Sequence, residues 1–161
     1  MRINSLDRRS VRFVRWACGA GALVAVHFAA SAHAALGDEV ASVERDRVTM
    51  KATLRVSQHA NYDVHELATE MGATVREFVG QDRKVFAVSW SGGWRPNLRN
   101  VLGAHYDRFI EATRGRRVPR GPVRLELPGL VVFMGGHLRH FYGFAYLSEQ
   151  LPAGFVPETV E

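Results

Sequence analysis

Residues 73–90 read Ala73-Thr74-Val75-Arg76-Glu77-Phe78-Val79-Gly80-Gln81-Asp82-Arg83-Lys84-Val85-Phe86-Ala87-Val88-Ser89-Trp90, and this stretch decides the fold. Two runs rich in β-branched and aromatic residues, Ala73 to Val79 and Lys84 to Trp90, flank Gly80-Gln81-Asp82. Gly and Asp supply the backbone freedom and local hydrogen bonding of a tight turn, so the pair predicts an antiparallel hairpin. In the second run Phe86, Val88 and Trp90 alternate onto one face and Val85, Ala87 and Ser89 onto the other. Neither set is strongly polar, which predicts a strand near the centre of a sheet.

Upstream, Thr53, Val56, Tyr62 and Val64 are strand formers, with Asn61 marking a turn between two short runs and Met71-Gly72 a break. A short N-terminal helix capped by Asp38 and running to about Val48 is expected before them, with a thin apolar stripe of Val40 and Val43. Downstream, Ser91-Gly92-Gly93 ends the strand and Pro96 suits a first helical turn, where its missing N–H is not needed. Leu98, Val101, Leu102, Tyr106, Phe109 and Ile110 then recur at helical spacing, with Arg99, Asp107, Arg108 and Glu111 off the stripe and Gly115 as the stop. Val123 to Leu127, Leu130 to Met134 and His140 to Leu147 read as strands, broken by Pro128-Gly129, with Gly135-Gly136 as a turn or bulge. Short connections favour antiparallel pairing. The expectation is an α+β fold: a mainly antiparallel sheet with one long amphipathic helix packed on a face and a short N-terminal helix.

The N-terminus has the organisation of an export signal. Arg2, Arg8, Arg9, Arg12 and Arg15 precede an apolar, Ala- and Gly-rich stretch from Trp16 to Ala30, and Ala32-His33-Ala34 matches the small-x-small cleavage pattern. His27 interrupts the apolar run, which falls short of the roughly 20 residues a membrane span needs. Cleavage is expected between Ala34 and Ala35, giving a signal peptide over 1–34 and one α+β domain over 35–161 with a loosely packed C-terminal tail. Arg8-Arg9 admits a twin-arginine route, although Arg12 stands where that pattern takes an apolar residue.

Removing the signal removes most of the net positive charge. Five of the 21 basic and one of the 16 acidic residues lie in the first 34, leaving 16 and 15. A nucleic-acid partner is therefore not expected. The single cysteine, Cys18, also lies in the signal. The processed chain is left without disulfides, thiol catalysis or thiolate metal sites. With the signal gone, no transmembrane segment remains.

Ala35-Leu36-Gly37-Asp38, Tyr62-Asp63-Val64-His65-Glu66, Val85-Phe86-Ala87-Val88-Ser89-Trp90, Pro96-Asn97-Leu98, Gly135-Gly136-His137-Leu138-Arg139, Gly143-Phe144-Ala145-Tyr146-Leu147 and Leu151-Pro152-Ala153-Gly154 stand out together. In these stretches the chain resembles a bacterial family of exported proteins classed as domain of unknown function 2844. The resemblance implies signal peptides and a periplasmic destination, and carries no activity, cofactor or catalytic residue with it.

Candidate chemistry is thin. His137 and His140 are three apart, which on a regular strand places them on opposite faces, but a turn after Gly135-Gly136 could bring them together. With His65, His105 and Glu66 they are weak candidates for a metal site, and no recognised ligand spacing supports one. Asp63 and His65 share a strand face, with Ser57, Ser89, Ser91 and Thr74 as available hydroxyls, but no Gly-x-Ser-x-Gly elbow is present. Gly92-Gly93 and Gly135-Gly136 lack the residues of a phosphate loop. Arg114, Arg116, Arg117, Arg120 and Arg124 form a basic run suited to solvent or to an anionic partner.

The best lead is aromatic. His140, Tyr142, Phe144 and Tyr146 alternate onto one strand face, and Trp90 and Trp94 lie at a strand end and the following loop. Exposed, such a face would bind a partner or a sugar-like ligand; covered, it is core. The expected function is a non-enzymatic periplasmic binding or envelope accessory module without a cofactor. The alternative is a small periplasmic hydrolase or His-metal enzyme using His65, His137 or His140.

Overall fold

The computed structural model describes residues 36–115 and 121–157. Seven strands form one antiparallel sheet: β1 (Ala52–Gln58), β2 (Tyr62–Thr69), β3 (Thr74–Gly80), β4 (Val85–Gly92), β5 (Val123–Leu127), β6 (Leu130–His137) and β7 (His140–Tyr146). Their order across the sheet is β1-β2-β3-β4-β7-β6-β5. The β3–β4 hairpin forms where the sequence places it, and β4 is the middle strand. The turn is fastened by the Lys84 N–H donating to the Asp82 carboxylate at 3.1 Å.

A register shift between Phe78 and Val79 alters the alternation within β4. Val85 joins Val88 and Trp90 in one core cluster, whereas Phe86 joins Ala87 in the other. The sequence expectation grouped Phe86 with Val88 and Trp90, and Val85 with Ala87 and Ser89; both Val85 and Phe86 are reversed. The extra residue of the bulge turns Phe86 to the opposite face, because an inserted residue reverses which way every later side chain points.

Helices cover one face of the sheet. Helix α1 (Ala41–Thr49) has Val40 as its N-cap, with no side-chain capping bond, in place of the expected Asp38. The expected long helix is divided into α2 (Leu98–Leu102), a 3-10 turn at Gly103–His105, and α3 (Tyr106–Thr113). Gly103 sits at φ 49 and ψ −124, outside helical geometry, which breaks the ladder of hydrogen bonds there. Pro96 precedes the helix, whose cap is Asn97: its side chain accepts from the Arg99 N–H at 3.0 Å. The apolar stripe survives the break. Val101, Leu102 and Phe109 are buried, with Leu98, Tyr106 and Ile110 packed beside them, against Val75, Val88, Trp90, Val132 and Ala145 of the sheet. Gly115 adopts φ 72 just past the last helical turn, as a helix stop requires.

Among the described residues the second face carries no α-helix. Phe78, Phe86, Ala87, Val131, Phe144 and Tyr146 form its core, with Tyr62, Val64, Phe133, Leu151 and Phe155 against them. Phe155 stands edge-on to Tyr62, Phe78 and Phe86, at ring-centre distances of 5.4, 5.4 and 4.9 Å. The C-terminal segment is also tied down by Asn61, whose amide donates to the Ala153 carbonyl at 2.9 Å. It therefore roofs only the half of this face near the start of β2.

Candidate functional site

The other half of the helix-free face forms a trough, and strand pairing dictates its walls. Glu66, Arg76, Ser89, Phe144 and Phe133 are successive cross-strand neighbours, as are Ala68, Thr74, Ser91, Tyr142 and Gly135. The middle strand β4 thus contributes only the small Ser89 and Ser91 to the floor. Aromatic rings of β7 rise on one side, and Thr74 and Arg76 of β3 on the other. The hollow measures about 270 Å³ and is lined by Thr74, Arg76, Ser89, Ser91, His140, Tyr142 and Phe144, with Trp90 and Gly143 bordering it between them.

The aromatic wall is continuous. Ring centres lie 5.8 Å apart for His140 and Tyr142, 6.0 Å for Tyr142 and Phe133, 5.3 Å for Phe133 and Phe144, and 5.9 Å for Phe144 and Tyr146. Phe144 and Tyr146 are buried by these neighbours, while Tyr142 remains half-exposed. Gly135 makes room for Tyr142: a Cβ there would lie 2.6 Å from the ring's Cζ. The ring therefore leans over β6 and leaves the floor of β4 open. Opposite it, the Arg76 guanidinium donates to the Glu66 carboxylate at 2.8 Å, and the two side chains are 40% and 31% exposed. This wall offers a fixed cation with spare N–H donors and a carboxylate with spare acceptor capacity. An apolar plane facing a charged, hydrogen-bonding edge across small hydroxyls suits a flat ligand with a polar rim.

Trp90 and Trp94 lie away from this trough's aromatic wall. Trp90 is buried on the helix-covered face, pressed over Gly143, where a Cβ would come within 2.4 Å of its Cζ2. Trp94 stands partly exposed in the loop after β4, at the rim of a second hollow of about 320 Å³ that Met50, Met71 and Val101 also line.

The histidines divide. His137 and His140 close the two-residue turn between β6 and β7 as direct cross-strand partners, with rings 5.5 Å apart. The turn thus does what a continuous strand would not. His65 is on the helix-covered face, the cross-strand neighbour of Val56 and Glu77, and joins neither of them. Burial pushes its pKa down, opposed by Asp63, and its Nδ1 is buried without a hydrogen-bond partner among the described residues. His105 also titrates low, first because it is buried and then because Arg108 is near. Among the described residues no group of three His, Cys, Asp or Glu side chains could hold a metal ion. Ser89 and Ser91 face the trough, on the side of the sheet opposite Asp63 and His65, so those groups form no nucleophile–base pair. Of the basic run, Arg116, Arg117 and Arg120 lie outside the described residues; Arg114 pairs with Glu111 and Arg124 with Glu126 on the surface.

One charged feature was not legible in the sequence. Glu77 is only 1% exposed, and neither carboxylate oxygen has a hydrogen-bond partner among the described residues. It lies beneath the helices with Asp46 of α1, itself buried. Loss of solvent, and then the neighbouring Asp46, push its pKa up to about 8. Glu77 is therefore held in the neutral acid form at neutral pH.

No helix among the described residues is long and apolar enough to cross a membrane. No curated protein and no solved structure matches the chain. Residues 32–160, most of the sequence and all of the sheet that frames the trough, match the family described as protein of unknown function DUF2844, and the chain belongs to that family.

Proposed function

We propose that the protein is exported, processed after Ala34, and acts in the cell envelope as a non-enzymatic binding module whose site is the trough on the helix-free face of the sheet. The observation that carries this reading is the pairing of a half-exposed aromatic wall, led by Tyr142, with the Arg76–Glu66 pair across a serine floor. The hollow is sized for one ring of a ligand, and the stacking plane plus hydrogen-bonding edge favours a saccharide ring over a purely apolar molecule. Burial of Phe144 and Tyr146 leaves Tyr142 as the residue on which stacking depends.

The test is titration of the processed protein with a panel of envelope saccharide fragments, followed through backbone amide shifts. Shifts should concentrate at Thr74, Ser89, Ser91 and Tyr142, and Tyr142→Ala should weaken binding by about tenfold or more. Unmoved amides across the panel, or equal affinity in the variant, would remove the trough from consideration. Export is checked separately by the mass of the protein recovered from the periplasmic fraction, which should begin at Ala35. Turnover on a broad hydrolase panel would overturn the non-enzymatic reading.

A further inference from the structure

The register places five chain segments at one end of the sheet: the start of β1, the β2–β3 turn, the β4–α2 loop, the β6–β7 turn and the start of β5. Six large apolar side chains are exposed among the described residues, and three of them are at this end. Leu138, at the tip of the β6–β7 turn, is 85% exposed; Met71, at the β2–β3 turn, is 74%; Trp94, in the β4–α2 loop, is 38%. Single exposed apolar residues need no explanation, but the two most exposed ones standing with a Trp on three separate turns do.

The same turns carry positive charge. Lys51, Arg95 and Arg139 flank the apolar tips, and Glu70 is the one carboxylate among them. None of the three cations pairs with a carboxylate among the described residues; Arg95 instead lies over the Phe141 ring at 5.1 Å. The opposite end of the sheet is built differently. Its turns are His59-Ala60-Asn61, Gln81-Asp82-Arg83-Lys84, Pro128-Gly129 and Ser148-Glu149-Gln150, and its exposed apolar residue is Val156 of the tail.

We infer that this end docks the protein on an anionic phospholipid bilayer, with Leu138, Met71 and Trp94 entering the headgroup region and Lys51, Arg95 and Arg139 facing lipid phosphates. Separate turn tips can each reach into a soft interface. Trp suits the boundary between headgroups and chains, and the unpaired cations supply the attraction to negative lipid. The second hollow, rimmed by Met71 and Trp94, opens here and is largely apolar within. The trough begins beside this end: His140, which lines it, closes the turn that carries Leu138 and Arg139, and Thr74 and Ser91 line both hollows.

The test is flotation of the processed protein with phosphatidylglycerol/phosphatidylethanolamine vesicles, compared with phosphatidylcholine vesicles, at low and high salt. Binding to the anionic vesicles that weakens with salt is expected. Leu138→Asp/Met71→Asp, and separately Lys51→Glu/Arg139→Glu, should each lower partitioning by about tenfold or more. Val156→Asp, at an exposed position of the opposite end, should float as the parent does. Lack of binding by the parent, or flotation of either double variant equal to the parent's, overturns the inference. So does a dimer that Leu138→Asp dissociates in the absence of any vesicle binding, because the tips would then serve a second copy of the chain. Far-ultraviolet circular dichroism on each variant separates lost binding from lost folding.

Discussion

The two faces of the sheet solve the same burial problem with different materials. Under the helices the apolar surface is aliphatic, dominated by Leu67, Val75, Val85, Val88, Leu102, Leu130 and Val132, and is closed by a second layer. On the other face Phe78, Phe86, Phe133, Phe144, Tyr146 and Phe155 bury one another with help from a short terminal segment. Aromatic rings are large enough to shield their neighbours without a covering helix. That economy ends where β4 offers serines instead of rings, and the trough opens there. The difference teaches that the helix-covered face should carry most of the stability while the other face has surface to spare for recognition.

Truncation on each face tests this most severely. Leu102 is fully buried between α2 and the sheet, so Leu102→Ala removes packed volume that the rigid layers cannot recover. A loss of about 4 kcal/mol is expected in urea denaturation. Phe155 is half-buried at the edge of the aromatic cluster, and Phe155→Ala should cost about 2 kcal/mol. Equal losses would mean that the terminal segment is as integral to the core as the helices are.

The helix-covered face also contains its own liability, Glu77. Unfolded, its carboxyl would titrate near the usual glutamate value; folded, it is pushed up to about 8. Between these two values the folded chain holds a proton that the unfolded chain releases. Its contribution is therefore complete below the unfolded pKa and declines as pH rises through the folded one. His65 and His105, both titrating low because they are buried, act in the opposite sense: their contribution is lost as pH falls below the usual histidine range. Glu77→Gln removes the first trend alone. It should stabilise the protein by several kcal/mol at about pH 9 and change little at about pH 5. Denaturation midpoints across that range give the answer, and a parallel offset at all pH values would show that the carboxyl does not titrate where its burial requires.

Periodicity revealed the hairpin, the central strand, the antiparallel pairing and the helical stripe because each is a local pattern. It missed the break at Gly103, where Leu102 and Tyr106 keep helical spacing across a glycine whose backbone leaves the helix. It missed the inversion of Phe86, since a bulge is set by the partner strand. Arg76 and Glu77 are neighbours in sequence, yet adjacent strand residues point to opposite faces: Arg76 lines the trough and Glu77 is sealed beneath the helices. The aromatic alternation along β7 was legible, but which face it occupied depended on where α2 and α3 settled. Trp90 was grouped with those rings as an aromatic at a strand end; it borders the trough, but its side chain packs in the core of the opposite face.

The smallest expected stability effect is the sharpest probe of the trough. Gly135 lies on β6 directly across from Tyr142, and a methyl group there would meet the Cζ, Oη and Cε2 atoms of the ring at 2.6, 2.7 and 2.9 Å. These are the outer atoms of a side chain that can rotate, so Gly135→Ala need not disturb the strand; it must displace the ring. With Phe133 packed beside it on β6, the ring's open direction is toward Ser91 and the floor of β4. The expected cost is about 1 kcal/mol, while saccharide binding falls as far as in Tyr142→Ala. Unchanged binding in a folded Gly135→Ala protein would mean that the tilt of Tyr142 does not define the site. Loss of several kcal/mol would mean instead that this half of the face is packed as tightly as the half beneath the helices.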